Sequence, residues 1–418
     1  MKKKNNSIGN DSRFIYIILA NIFSSIGSGI TSLTISWLIV QQPDGAQVYG
    51  YTFIGVTLTS FFLSPYIGSI IDKYPRKNFL LFSQIWGFSF VLALAFIAHS
   101  QDSLTIWQLV ILQVVGSLYW NFVFPGIFAF VHEIFQPDQY QKLNSVLEVQ
   151  NQVASMLSAG IAGLIMTHIH VSTILFINAM TYLIGFFLFL AIPYTKQNQK
   201  NRNQKVHYLE SMKEGFIYLR KMPWISLFFI CTLSPFIVIM IGNYLDPIHV
   251  LHTLKANPSA LGTASALYAI GAIFSGIFIT KWMKKRGSHT TILCTVIISL
   301  FSTLCIALSP HLSLFYLAAL GKGIGNAGTR ICRNTMMMEM VPNHIIGRIR
   351  SCIDGVGLGI RVMSVSIFTT LMGTIGTRGS YFTLSIFLLF SGIIIYLSKS
   401  AIDFAIYKRT KKESISSL

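Results

Sequence analysis

Twelve separate apolar runs, each about long enough to cross a bilayer, constrain this chain more than any other feature. They fall near 14–40, 48–71, 79–99, 105–131, 143–167, 171–193, 223–246, 259–282, 289–309, 312–338, 347–373 and 380–398. A spanning helix needs roughly 20 apolar residues. Inside hydrocarbon every backbone N–H and C=O must find a partner within the protein, which leaves helices or a closed barrel. Runs of this length are too long for strands, so the fold class is an all-α membrane protein with twelve transmembrane helices. Turn formers fill the breaks: Pro43-Asp44-Gly45, Tyr74-Pro75, Pro137-Asp138, Asn257-Pro258, Ser309-Pro310 and Pro342-Asn343. Charged residues make up 11% of the chain, against about 25% in soluble domains. That excludes a soluble or a disordered protein, and short loops leave no room for a large soluble domain. The first run follows Lys2-Lys3-Lys4 but is too long for a signal-peptide core, so it reads as a retained helix.

The net charge of +18 would raise nucleic-acid binding in a soluble chain. Its distribution excludes that. With an even number of spans both termini share one side, and 26 of the 32 Lys and Arg residues fall in the segments on that side. The opposite loops hold only Lys255 and Arg378. Basic residues concentrate in cytoplasmic loops, so both termini are expected in the cytoplasm of a bacterial cell, with the chain a multi-pass protein of the cytoplasmic membrane. Five cysteines lie in or beside apolar runs and predict no disulfide framework. His168 and His170 stand alone on a short turn, so no metal and no cofactor are expected.

The chain repeats itself. Gly68-Ser-Ile-Ile-Asp72-Lys73-Tyr-Pro-Arg76-Lys77 matches Gly276-Ile-Phe-Ile-Thr280-Lys281-Trp-Met-Lys284-Lys285 at an offset of 208. Glu133, Ser145 and Glu148 match Glu339, Ser351 and Asp354 at an offset of 206. The expected organisation is a six-helix half over 1–194, a cytoplasmic linker over 195–222, a second six-helix half over 223–398 and a cytoplasmic tail over 399–418. Leu209, Met212, Phe216 and Leu219 recur at helical spacing, so the linker ends in an amphipathic surface helix. A parallel repeat of two such halves is a transporter architecture, with the substrate held near the midplane.

The loop Gly68–Lys77 resembles the signature of the major facilitator superfamily between helices 2 and 3, and it falls in the matching inner loop. Glu214-Gly215-Phe216-Ile-Tyr218-Leu219-Arg220 before helix 7, and Val341-Pro342 followed by Gly347-Arg348 before helix 11, are similar to motifs of a subgroup holding macrolide-efflux-like proteins and siderophore exporters. The resemblance implies two pseudo-symmetric halves, alternating access and a cavity lined by helices 1, 4, 7 and 10. It also implies that Asp72, Arg76 and Lys77 serve the inner gate, with Asp72 facing the start of helix 11 and Arg76 pairing with Glu133. Two departures stand out. Helix 4 reads Gln113-Val-Val-Gly116 without the arginine usual in drug–proton antiporters, and helix 5 reads Ala159-Gly160-Ile-Ala-Gly163 without a proline.

Lys322, Asn326, Arg330 and Arg333 share one face of the tenth run. A charge inside a membrane costs about 3 kcal/mol or more and marks a pathway or a partner. Lys322 lies roughly 15 Å along its helix from residue 312, near mid-membrane. With Asp246 read as lying at the outer mouth, no carboxylate is expected at that depth, and the cavity should prefer an anion. Further cavity candidates are Asn21, Ser24, Ser28 and Thr31 on helix 1, Gln113, Ser117, Trp120 and Asn121 on helix 4, and Asn243 and Tyr244 on helix 7. Glu133, Glu148 and Asp354 are the candidates for proton coupling, and Arg361 shares a face with Asp354. Gly321-Lys-Gly323-Ile-Gly325-Asn-Ala-Gly328 is expected to serve close helix packing, since it lies in an apolar helix.

No nucleophile–base constellation and no nucleotide-binding motif appears, so an enzyme is not expected. The reading is a secondary active exporter, driven by protons, carrying an anionic hydroxycarboxylate siderophore of the staphyloferrin kind. A macrolide or multidrug efflux pump is the alternative. Its expected partners are a small-molecule substrate, membrane lipid and protons, but not nucleic acid, and it is expected to work as a monomer.

Overall fold

The computed structural model describes residues 11–136, 139–166, 168–194, 217, 220, 222–308, 310–341 and 346–402. Within helices, the side chains of Asp72, Glu148 and Asp354 lie outside the described residues, as do most of the linker and the C-terminal tail.

Among the described residues the chain makes twelve helical crossings and no strand. They are α1 Ser12–Val40, α2 Gly45–Lys73, α3 Arg76–Gln101, α4 Ile106–Ile134, α5 Tyr140–Ile165 and α6 Val171–Leu190. α7 spans Pro223–Thr253, and α8 Ser259–Arg286, α9 Ser288–Leu308 and α10 Leu312–Met340 follow. The last element, Ile346–Leu397, is broken at Gly376 into α11 (346–375) and α12 (377–397). Eight of these elements are long and apolar enough to qualify as spans on composition alone, the broken pair counting as one. α2, α5 and α10 are the others, and α10 carries Lys322, Arg330 and Arg333 through its middle.

Local chemistry sets the boundaries. Asp11 caps α1 by accepting from the Arg13 backbone N–H at 3.0 Å. The Arg13 guanidinium binds the same carboxylate and holds it below the usual carboxylate range. Asp44 at φ 55° turns the chain into α2, and Asp102 at φ 56° ends α3. Thr105 and Gln108 form a capping box that starts α4.

Chain contacts divide the protein into two compact units. One holds Met1–Lys200 with Ala256–Ala266, the other Asn201–Lys255 with Leu267–Leu418. In the first, Tyr119, Tyr182, Phe130 and Phe189 are fully buried between helices, while Phe62, Tyr66, Phe82, Trp107 and Phe124 stand exposed. Large exposed aromatics on helices of this length suit a surface solvated by lipid rather than water. In the second unit the glycine run packs as expected. A Cβ on Gly325 would strike the Ser299 side chain on α9, and one on Gly323 the Tyr268 carbonyl oxygen on α8. Small residues let helix backbones approach this closely.

Candidate functional site

The first unit contains a cavity of about 310 Å³ between α1, α4, α5 and α6. Its wall carries hydroxyls from Ser28, Thr31, Ser117, Ser155 and Ser158, amides from Gln113, Asn151 and Asn178, and the rings of Trp120 and Tyr182. No charged side chain lines it among the described residues. Ser28 Oγ lies 2.8 Å from the Tyr182 hydroxyl, which fixes that part of the wall. Thr31 Oγ1 is buried there without a hydrogen-bond partner among the described residues, an atom with capacity left for a polar guest.

Helix 1 and helix 4 supply cavity residues as expected, with Ser28, Thr31, Gln113, Ser117 and Trp120 on the wall. Others turn away. Asn21 donates its amide to Gln150 and, at 3.2 Å, to Asn151. Ser24 bonds Gln84 at 3.3 Å, and Asn121 reaches Ser60 on α2 at 2.6 Å. These three join helices instead of facing the space. The contribution of α5 and α6 to the wall was not expected from the sequence. Gln150, Asn151, Ser155 and Ser158 recur at helical spacing, a polar stripe that was available as a signal.

The end of this unit that is expected to face the cytoplasm holds the anticipated ion pair. Arg76 Nε lies 3.4 Å from Glu133 Oε2, with both side chains buried. Arg76 Nη1 also donates to the Ala129 carbonyl at 2.6 Å, and the Tyr194 hydroxyl donates to Glu133 at 2.9 Å. Burial first, then the Glu133 carboxylate, push the Tyr194 hydroxyl up to about 12. Lys77 Nζ donates to the Leu190 and Ile192 carbonyls at 2.8 Å, where a cation suits the helix end. All these contacts join α3, α4 and the end of α6 within one unit, so each is a brace inside that unit.

In the second unit the charge pattern differs from expectation. Lys322 is 5% exposed and its Nζ lies 3.4 Å from both carboxylate oxygens of Asp246 on α7. Tyr381 on α12 donates its hydroxyl to the same carboxylate. The Lys322 ammonium also lies over the rings of Phe315 and Tyr381, at 5.9 and 5.7 Å. The premise of an uncompensated deep cation is therefore corrected. Asp246 precedes the end of α7 by seven residues and Lys322 follows the start of α10 by ten, so the two reach similar depth at 1.5 Å per residue. Asn326 donates to the Tyr268 hydroxyl at 2.7 Å and so ties α10 to α8. Arg333 reaches the Thr232 carbonyl at 3.3 Å, while Arg330 is half-buried. Asn243 is exposed and Tyr244 fully buried. Asp72, Glu148 and Asp354 lie outside the described side chains.

The family model for the Major Facilitator Superfamily matches residues 17–349 and 227–413. The chain belongs to the major facilitator superfamily. Membership makes it a multi-pass membrane transporter, not an enzyme. Macrolide efflux protein A of Streptococcus pyogenes is 20% identical over 64% of this chain and 66% of its own length. The multidrug efflux pump Tap of Mycolicibacterium fortuitum is 21% identical over 91% of this chain and 94% of its own. Among solved structures, a bacterial homologue of the iron transporter ferroportin in an inward-facing state superposes with a TM-score of 0.69 at 13% identity. That match covers 93% of this chain and 98% of the other, and it supports the major facilitator fold. Both of these relatives are named as efflux proteins.

Proposed function

We propose that this transporter exports amphipathic, neutral or weakly basic organic compounds of the macrolide or multidrug kind, driven by protons across a bacterial cytoplasmic membrane. The carrying observation is the cavity of the first unit, whose described wall combines hydroxyls, amides and two aromatic rings with the aliphatic side chains of Ile35, Val91 and Leu112, without a charged group. Such a wall binds by shape, stacking and a few hydrogen bonds. At about 310 Å³ it takes one ring or sugar of a large ligand. The names of the efflux relatives support the same class.

Expression in a drug-sensitive bacterial host tests this reading. Cells carrying the protein should hold less radiolabelled erythromycin than cells carrying an empty vector, and a protonophore should abolish the difference. Equal accumulation across macrolides and cationic dyes would refute drug export.

The anionic siderophore is the second reading. It draws support from the basic face of α10, which carries Lys322, Arg330 and Arg333. Lys322 adds less to that support than a naked cation would, because Asp246 neutralises it. Metabolite profiling under iron limitation separates the two: a polycarboxylate chelator trapped inside cells lacking the protein would favour the siderophore.

A further inference from the structure

The hydroxyls on the wall of the first unit's cavity differ in what they have left to offer. Ser28 Oγ donates to the Ser24 carbonyl at 2.6 Å, Ser117 Oγ to the Gln113 carbonyl at 2.8 Å and Ser158 Oγ to the Ser155 carbonyl at 3.0 Å. A serine hydroxyl has one hydrogen and two lone pairs. Each of these three spends its hydrogen on its own helix and meets the cavity with lone pairs. The Tyr182 hydroxyl is committed as well, because the hydrogen between it and Ser28 must be its own. α1, α4 and α5 thus each bring an acceptor to the wall.

Thr31 is the exception. Thr34 on the same helix donates back to the Ile30 carbonyl at 2.9 Å, but Thr31 Oγ1 has no partner among the described residues. Thr31 is 4% exposed and lies on the cavity wall. A hydroxyl buried without a bond carries a cost that a ligand can remove by supplying one. Asn151 adds a donor: its Oδ1 accepts from Asn21 at 3.2 Å, so its amide nitrogen is what it has left. Among the described residues the Trp120 ring meets one other ring, Tyr119, at 5.4 Å and 82°, so no ring is stacked on it. Ile35, Val91 and Leu112 complete the wall with aliphatic surface.

This pattern selects among guests. A charged group of either sign would enter without a described counter-charge, and burying a lone charge is costly. A ligand surface of ketone and ether oxygens would set lone pairs against lone pairs. A flat aromatic ring would cover Trp120 and leave Thr31 unbonded. A neutral saturated ring with several hydroxyls meets every requirement. Its O–H groups donate to Ser28, Ser117 and Ser158, one of them exchanges a hydrogen bond with Thr31, and its C–H face lies on the electron-rich face of Trp120. We propose that the cavity is a subsite for the neutral sugar of a glycosylated substrate, with Thr31 as the residue that discriminates. This rests on the macrolide-like export proposed above and names the part of the substrate that the first unit reads.

Erythromycin carries one neutral sugar and one amino sugar, so the test compares it with its derivative lacking the neutral one. Equilibrium binding of both radiolabelled compounds is measured on the purified full-length protein in lipid nanodiscs. Loss of the neutral sugar should weaken binding to the wild type by about tenfold, the size of one good hydrogen bond. The difference should shrink to about threefold or less in Thr31→Val, which keeps the shape and removes the hydroxyl, and return in Thr31→Ser. Equal affinity of the wild type for the two compounds, or an undiminished difference in Thr31→Val, would overturn the sugar subsite and leave macrolide export standing. If the wild type binds neither compound, macrolide export falls instead. Saturation-transfer NMR with methyl glucoside then decides the subsite without any drug. Transfer to the sugar ring protons that weakens in Thr31→Val supports it, and transfer that is absent, or unchanged by the substitution, overturns it.

Discussion

At the scale of single residues, buried charge is tolerated here in pairs. Removing one partner of a buried ion pair strands the other and costs about 3–5 kcal/mol, whereas replacing both by apolar groups is often neutral. Lys322→Met alone should therefore lower thermal stability in detergent more than Lys322→Met combined with Asp246→Leu. A double variant as unstable as the single would show that the pair contributes little. The same logic applies to Arg76 and Glu133, both buried in the first unit. Arg76→Ala should lose about 3 kcal/mol, and a mutant cycle with Glu133→Gln should show coupling between the two positions.

Elements are shaped by glycine at two places where nothing else fits. Gly376 has φ 60° and ψ −175°, but a Cβ there would meet no atom within 4 Å. Gly376→Ala should then cost about 1–3 kcal/mol through backbone strain alone, visible as a lower midpoint in thermal unfolding. Gly323 is the reverse case: its conformation is helical, but its Cβ would strike the Tyr268 carbonyl on α8. Gly323→Ala should force α8 and α10 apart and cost roughly 1–3 kcal/mol by overpacking. A variant with unchanged unfolding would mean that the two helices have slack.

For the whole molecule the main prediction is sidedness. In a background with the five native cysteines replaced, Lys255→Cys and Arg378→Cys should react with an impermeant maleimide added to intact cells. Lys284→Cys should react only after the membrane is opened. The opposite pattern would reverse the orientation inferred from the basic residues and, with it, the cytoplasmic placement of the Arg76–Glu133 brace.

The number and length of crossings and the family were legible in the chain itself, because hydropathy and turn chemistry act locally and the bilayer leaves helices as the only choice for such runs. The tight packing of Gly321–Gly328 was legible for the same reason: glycine in an apolar helix has few uses besides close approach. The Arg76–Glu133 pair came from the resemblance of the loop around it. What the chain could not specify was which polar groups meet. Asp246 and Lys322 lie 76 positions apart, and whether a cation is naked or neutralised depends on how two helices are rotated and set in depth. The polar stripe of α5 was readable, but only packing against α1, α4 and α6 turned it into a cavity wall. Local sequence determines where a helix runs; the partners of its polar face are decided by tertiary contacts, because burial makes each polar group find whatever lies within hydrogen-bonding reach.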